Sequence, residues 1–142
     1  MWAYCDTSAL VKRYVREAGR LTLMRLLEEH DCVSSAVLPV ELRGAFRRRI
    51  SDGTLDATDL PTLLEHVASD RMYWTLVEVT ADVLAAAEAL IAAHPVRTLD
   101  AIHVASAQVF GARALRSLVF VSADKRQVDV AAAIGLSTKR IA

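Results

Sequence analysis

Trp2 to Cys5 form a short apolar run that stops abruptly at Asp6, and Leu118 to Val121 form a second that runs out at Ser122-Ala123-Asp124. A helical pattern follows each. Apolar strands that alternate with helices fold as a parallel sheet covered on both faces, because parallel neighbours need a crossover connection. In such sheets ligands bind outside the carboxyl ends of the strands. Asp6 and Asp124 are therefore expected side by side on the functional edge of a three-layer α/β/α sandwich.

The rest of the chain keeps this alternation. Residues 7–30 read as helix, broken near Gly19, with Leu21, Leu23, Met24 and Leu27 as its apolar stripe. Lys12, Arg13, Arg16, Arg20 and Arg25 are candidates for its polar face. A strand over 32–34 leads to Ser35 as the expected cap of a helix over 36–51, with Pro39 in its first turn. That helix carries Leu38, Leu42, Ala45, Phe46 and Ile50 on one face. Glu41 falls on the border of the stripe, and Arg48 lies two turns along on nearly the same side. A helix over 56–72, a strand over 76–79 and a helix over 82–93 capped by Thr80 follow. Residues 97–112, RTLDAIHVASAQVFGA, are apolar almost all round, as expected of a buried helix. Thr98 is its expected cap and Asp100 lies in its first turn. A helix over 125–133 and a strand over 136–139 end the pattern. No repeat, linker or low-complexity tract divides the 142 residues, so a single domain over 1–142 is expected.

Composition narrows the classes further. At 54% hydrophobic residues the chain can bury a real core, and with 17 basic against 17 acidic side chains its net charge is zero. A nucleic-acid partner would thus need a local basic face. Cys5 and Cys32 each lie beside a strand and carry no metal-ligand spacing, which points to two buried reduced thiols. The N-terminus lacks the basic-then-apolar pattern of a secretion signal, and no apolar run approaches the ~20 residues of a membrane span. A cytoplasmic protein with no membrane association is expected.

Four acids are expected on one edge: Asp6 and Asp124 at strand ends, Glu41 and Asp100 near the starts of helices. At ~4 Å each like-charge pair costs about 4 kcal/mol at an effective dielectric of 20. Such a cluster is tolerable around a divalent cation, and all-oxygen ligands favour Mg²⁺ or Mn²⁺. Each acid also has a plainer role available. Asp6 and Asp124 can cap the helices that follow them, Asp100 can serve a helix dipole, and Glu41 can sit at the surface. His103, one turn after Asp100, can pair with it. Ser8 and Ser122 can orient the strand-end acids or a bound water, or simply make turns. The Arg clusters read as solvated faces or, if they flank the acids, as phosphate contacts, with Arg13 and Arg48 the candidates for such contacts.

DTSAL at 6–10, VEL at 40–42, LDAIHVASA at 99–107 and FVSAD at 120–124 together resemble a PIN-domain nuclease, and more closely a toxin of the VapC type. The resemblance runs in order along the whole chain. It implies an α/β/α sandwich and a Mg²⁺-dependent endoribonuclease with Asp6, Glu41, Asp100 and Asp124 as catalytic metal ligands. It also implies a homodimer held inactive by a small antitoxin that reaches a basic side chain into the acidic pocket. Ser122 stands where relatives often carry Thr. Position 127 is Gln near where some relatives carry a fifth acid, with Asp129 the nearest substitute. Metal-activated water would cut the phosphodiester without a nucleophilic side chain, consistent with the lack of a Ser/His or Cys/His arrangement. A haloacid-dehalogenase-like phosphohydrolase would need an acid where Ser8 stands, and a response-regulator receiver an acid where the third strand ends in Thr80. A non-catalytic RNA- or protein-binding module with the same fold is the remaining alternative.

Overall fold

The protein is described over residues 1–142 by a computed structural model. Five strands, β1 (Trp2–Cys5), β2 (Asp31–Ser35), β3 (Thr75–Val77), β4 (Leu118–Ser122) and β5 (Ser137–Arg140), form one sheet in the order β3-β2-β1-β4-β5. Every pairing is parallel. Seven α-helices connect them: α1 (Thr7–Leu10), α2 (Arg20–Glu29), α3 (Leu38–Ser51), α4 (Leu60–Arg71), α5 (Ala81–Ala93), α6 (Thr98–Arg113) and α7 (Lys125–Ala133).

Alternate residues of a strand face opposite sides of the sheet, so β1 feeds two cores. Ala3 and Cys5 pack with Leu10, Leu23, Leu42, Phe46 and Val67 from α1 to α4. Tyr4 packs on the other face with Val83, Leu90, Val104 and Val130 from α5 to α7. This is the expected α/β/α sandwich. Phe46 and Phe120 are fully buried, one in each core, and each contributes about 1.5–3 kcal/mol of apolar burial. The Phe120 ring stacks on Tyr4 at 5.5 Å between centroids. No helix is long and apolar enough to cross a membrane.

The strand order places the site. From β1 the chain moves outward through β2 to β3, then returns to lay β4 on the other side of β1. The order reverses between β1 and β4, and a crevice opens beyond their carboxyl ends. Asp6 and Asp124 stand at that crevice.

Several local elements differ from the expected pattern. Residues 7–30 are not one broken helix: α1 spans four residues, a 3₁₀ turn covers Val11–Arg13, and α2 starts only at Arg20. The buried face of α2 is Leu23 and Leu26, whereas Leu21 is 74% exposed. Gly19, at φ +91°, takes the left-handed conformation just before α2 and so separates it from the turn that follows α1. Lys12 is buried rather than solvated, with its Nζ 3.2 Å from Glu17, which also holds Arg49. Ser35 does not cap α3. It ends β2, its Oγ accepting from the Val37 N–H, and Val37 takes the cap position. Arg97, extended at ψ 162°, precedes α6, so Thr98 is already helical. Thr80 caps α5 as expected. Both thiols are free, with Cys5 buried and Cys32 only half-buried.

Candidate functional site

A cleft of about 260 Å³ opens at the crevice, and Asp6, Glu41, Asp100 and Asp124 all line it. Asp6 enters at the end of β1, where its Oδ1 accepts from the Ala9 N–H at 2.9 Å and so caps α1. Its Oδ2 accepts from Ser122 Oγ at 2.7 Å and from Gln127 Nε2 at 2.8 Å. Ser8 Oγ lies 2.8 and 2.9 Å from the two oxygens. Both serines therefore orient Asp6, and Ser8 also ties down the β4 loop by accepting from the Ala123 N–H. Capping and cleft lining are not alternatives here, since Asp6 does both. Asp124 repeats the device: its Oδ1 caps α7 by accepting from the Arg126 N–H.

Glu41 sits in the first turn of α3, held from two sides. Thr7 Oγ1 donates to its Oε1 at 2.8 Å, and His103 Nε2 approaches the same oxygen at 2.5 Å. His103 thus pairs with Glu41 and not with Asp100. The buried imidazole points across the sheet edge to α3 rather than along its own helix. Behind it, the buried Tyr4 hydroxyl lies 2.9 Å from Nδ1. Burial raises the Tyr4 pKa well above its ordinary value, so Tyr4 stays a neutral phenol. The Glu41 carboxylate, whose pKa is lowered, can only accept, so Nε2 carries the proton that faces it.

Asp100 lies in the first turn of α6. Its Oδ1 accepts from Gln127 Nε2 at 3.0 Å, and its Oδ2 from Arg97 Nε at 3.3 Å. The environments push the acids apart. Burial raises the Asp6 pKa more than its donors lower it. Burial also raises Asp100, and the Asp124 charge adds to it against Arg97. For Glu41 burial acts upward too, but His103, Thr7 and the Arg48 charge outweigh it and leave the pKa lowered.

Arg48, Arg49 and Arg97 also line the cleft. Arg48 is exposed there, on the same side of α3 as Glu41. Arg13 is not at the cleft: it binds Asp70 through two nitrogens at 2.6 and 3.0 Å. Asp129 is no substitute acid either, as it is exposed and paired with Lys125. Position 127 contributes instead, through an amide buried between Asp6 and Asp100. The sequence does not single out Thr7, Arg97 or Tyr4, whereas Arg49 belongs to the arginine cluster over 43–49 that it offers as a phosphate contact. Thr7 and Arg97 were findable as neighbours of the strand-end and helix-start acids, whereas nothing local marks Tyr4.

Four carboxylates and no soft ligand fit a hard divalent cation such as Mg²⁺. The amide between Asp6 and Asp100 fits it as well, because it already supplies positive character between two carboxylates. As the side chains stand, no three His, Cys, Asp or Glu residues are disposed to enclose an ion. Glu41 is drawn to His103, and Asp100 to Arg97 and Gln127.

No curated protein matches the chain. A family model does, the PIN domain, over residues 3–133. The matched span runs from β1 to the last residue of α7 and takes in all four acids of the cleft, and on that match the chain belongs to the PIN-domain family.

Proposed function

We propose that this chain is a Mg²⁺-dependent endoribonuclease, able to use Mn²⁺, and that it is the toxin of a toxin–antitoxin pair. PIN domains are generally metal-dependent nucleases, so family membership supports the reaction class. The observation that carries the reading is the meeting of Asp6, Glu41, Asp100 and Asp124 in one cleft rimmed by arginines.

These four acids are the residues that would hold the cation. When bound, a divalent cation lowers the pKa of its water and neutralises charge on the scissile phosphate. Ser8 and Ser122 orient Asp6, and Thr7 and His103 hold Glu41 at the wall of the cleft, from which it would turn to meet the cation. A cleft carboxylate takes the proton of the attacking water. In-line attack breaks the P–O3′ bond and leaves a 5′-phosphate and a 3′-hydroxyl. Arg48 and Arg97 bind the flanking phosphates.

The toxin role rests on the sequence resemblance. Its partner would be a small antitoxin placing a basic side chain among these acids, where it would neutralise the same charge as a cation. Half-exposed Leu84, Ile91 and Leu99 on α5 and α6 offer apolar surface for the expected homodimer. A single domain in the cytoplasm completes the reading.

Purified protein incubated with total bacterial RNA tests the reaction. Discrete fragments are expected with Mg²⁺, and none with chelator or with Asp100→Asn. That variant should fold, because Asn keeps the shape of Asp100 and removes a charge that the fold disfavours. Full activity in Asp100→Asn would sink the assignment. Intact RNA in a stable complex would favour a non-catalytic binding module.

A further inference from the structure

Gln127 is 3% exposed, and its amide is only half satisfied. Nε2 donates to Asp6 Oδ2 and Asp100 Oδ1, while Oε1 is the only buried side-chain oxygen or nitrogen in the protein without a hydrogen-bond partner. A buried acceptor without a donor is disfavoured, and an amide can exchange its two ends by turning about its last bond. Turning it here would set Oε1 at 2.8 and 3.0 Å from two carboxylate oxygens. With nothing between them, three oxygens repel, and the present orientation wins.

A divalent cation reverses that balance. Oxygen ligands on perpendicular axes of Mg²⁺, each at about 2.1 Å, stand about 3.0 Å from one another. The spacings from Gln127 to Asp6 and Asp100 are already of that size. We propose that Gln127 is a bridge that inverts on cation binding: Nε2 joins Asp6 to Asp100 in the metal-free protein, and Oε1 becomes a neutral ligand when the cation enters. This rests on the reading of the cleft as a cation site. It gives position 127 a role that no acid could fill. A carboxylate there would ligate the cation but would repel Asp6 and Asp100 in its absence, whereas an amide serves both states.

Mn²⁺ alone is the probe, titrated by the EPR signal of the free ion, with melting curves taken with and without it. Gln127→Met keeps the length but offers only a soft thioether, and should weaken Mn²⁺ binding about 10-fold or more. Gln127→Glu should bind Mn²⁺ more tightly than the wild type and melt at a lower temperature in chelator. Equal affinities in all three proteins, or tighter binding by Gln127→Met, would overturn the proposal while leaving the cation site intact. A wild type that binds no Mn²⁺ would overturn the proposed function together with it. The side-chain NH₂ resonances of Gln127 in the wild type provide a check that needs no variant. They should shift on saturation with Mg²⁺, and constancy would overturn the inversion.

Discussion

Asp70 gathers the Arg13 guanidinium at 2.6 and 3.0 Å and the Tyr14 hydroxyl at 2.6 Å, and so ties α4 to the turn that follows α1. Burial pushes the Asp70 pKa up, but the bonds from Arg13 and Tyr14 outweigh it and hold the carboxyl below its usual range. A lowered folded pKa contributes stability that is present above the unfolded value of about 3.9 and is lost as pH falls through the folded value. Asp70→Asn should therefore cost about 1 kcal/mol at pH 7, a modest figure because the pair is partly solvated. The gap between variant and wild type should shrink as pH falls below about 4, which urea melts at both pH values would read. Arg13 shows how a residue misleads when read alone. Its basic neighbours suggest a phosphate contact, but its carboxylate partner lies 57 residues away in sequence. His103 misleads in the same way, since its spacing points to Asp100 and its ring reaches Glu41.

At the level of elements, the ends of helices decide more than their middles. Asp6 and Asp124 follow their strands, cap the next helix and line the cleft. This is why both were legible from sequence as caps and as neighbours on one sheet edge. The start of α2 was less so. Gly19 holds φ +91°, and a Cβ there would stand 2.3 Å from the Ala142 carbonyl oxygen and 2.4 Å from Ile141 Cγ2. Gly19→Ala should cost about 1–3 kcal/mol from backbone strain, with displacement of the buried Ile141 adding to it. A fall in the denaturation midpoint at unchanged m-value would show it. A glycine in a helical pattern marks a break, but the closeness of the C-terminal residues is invisible until both ends of the chain are packed.

For the whole molecule, zero net charge means that any attraction for RNA must come from the arrangement of charges. Arg48, Arg49 and Arg97 meet at one cleft, although Arg49 also spends its charge on Glu17. Arg48→Ala should weaken binding to single-stranded RNA regardless of sequence. It should also reduce the slope of log affinity against log salt by about 0.7, as expected for one lost phosphate contact. An unchanged slope, measured by fluorescence anisotropy, would remove Arg48 from the RNA path.

Sequence alone determined the alternation of strands and helices, hence the parallel sandwich, and it put Asp6, Glu41, Asp100 and Asp124 on one edge. These follow from local chemistry: apolar runs, caps and the geometry of crossovers. The tertiary structure decided which of those groups share a proton, a charge or a hydrogen bond. Tyr4 behind His103, His103 on Glu41, Arg13 on Asp70 and Gln127 between Asp6 and Asp100 join residues far apart in the chain. Such pairings depend on the register of packed layers, which no short stretch of sequence contains.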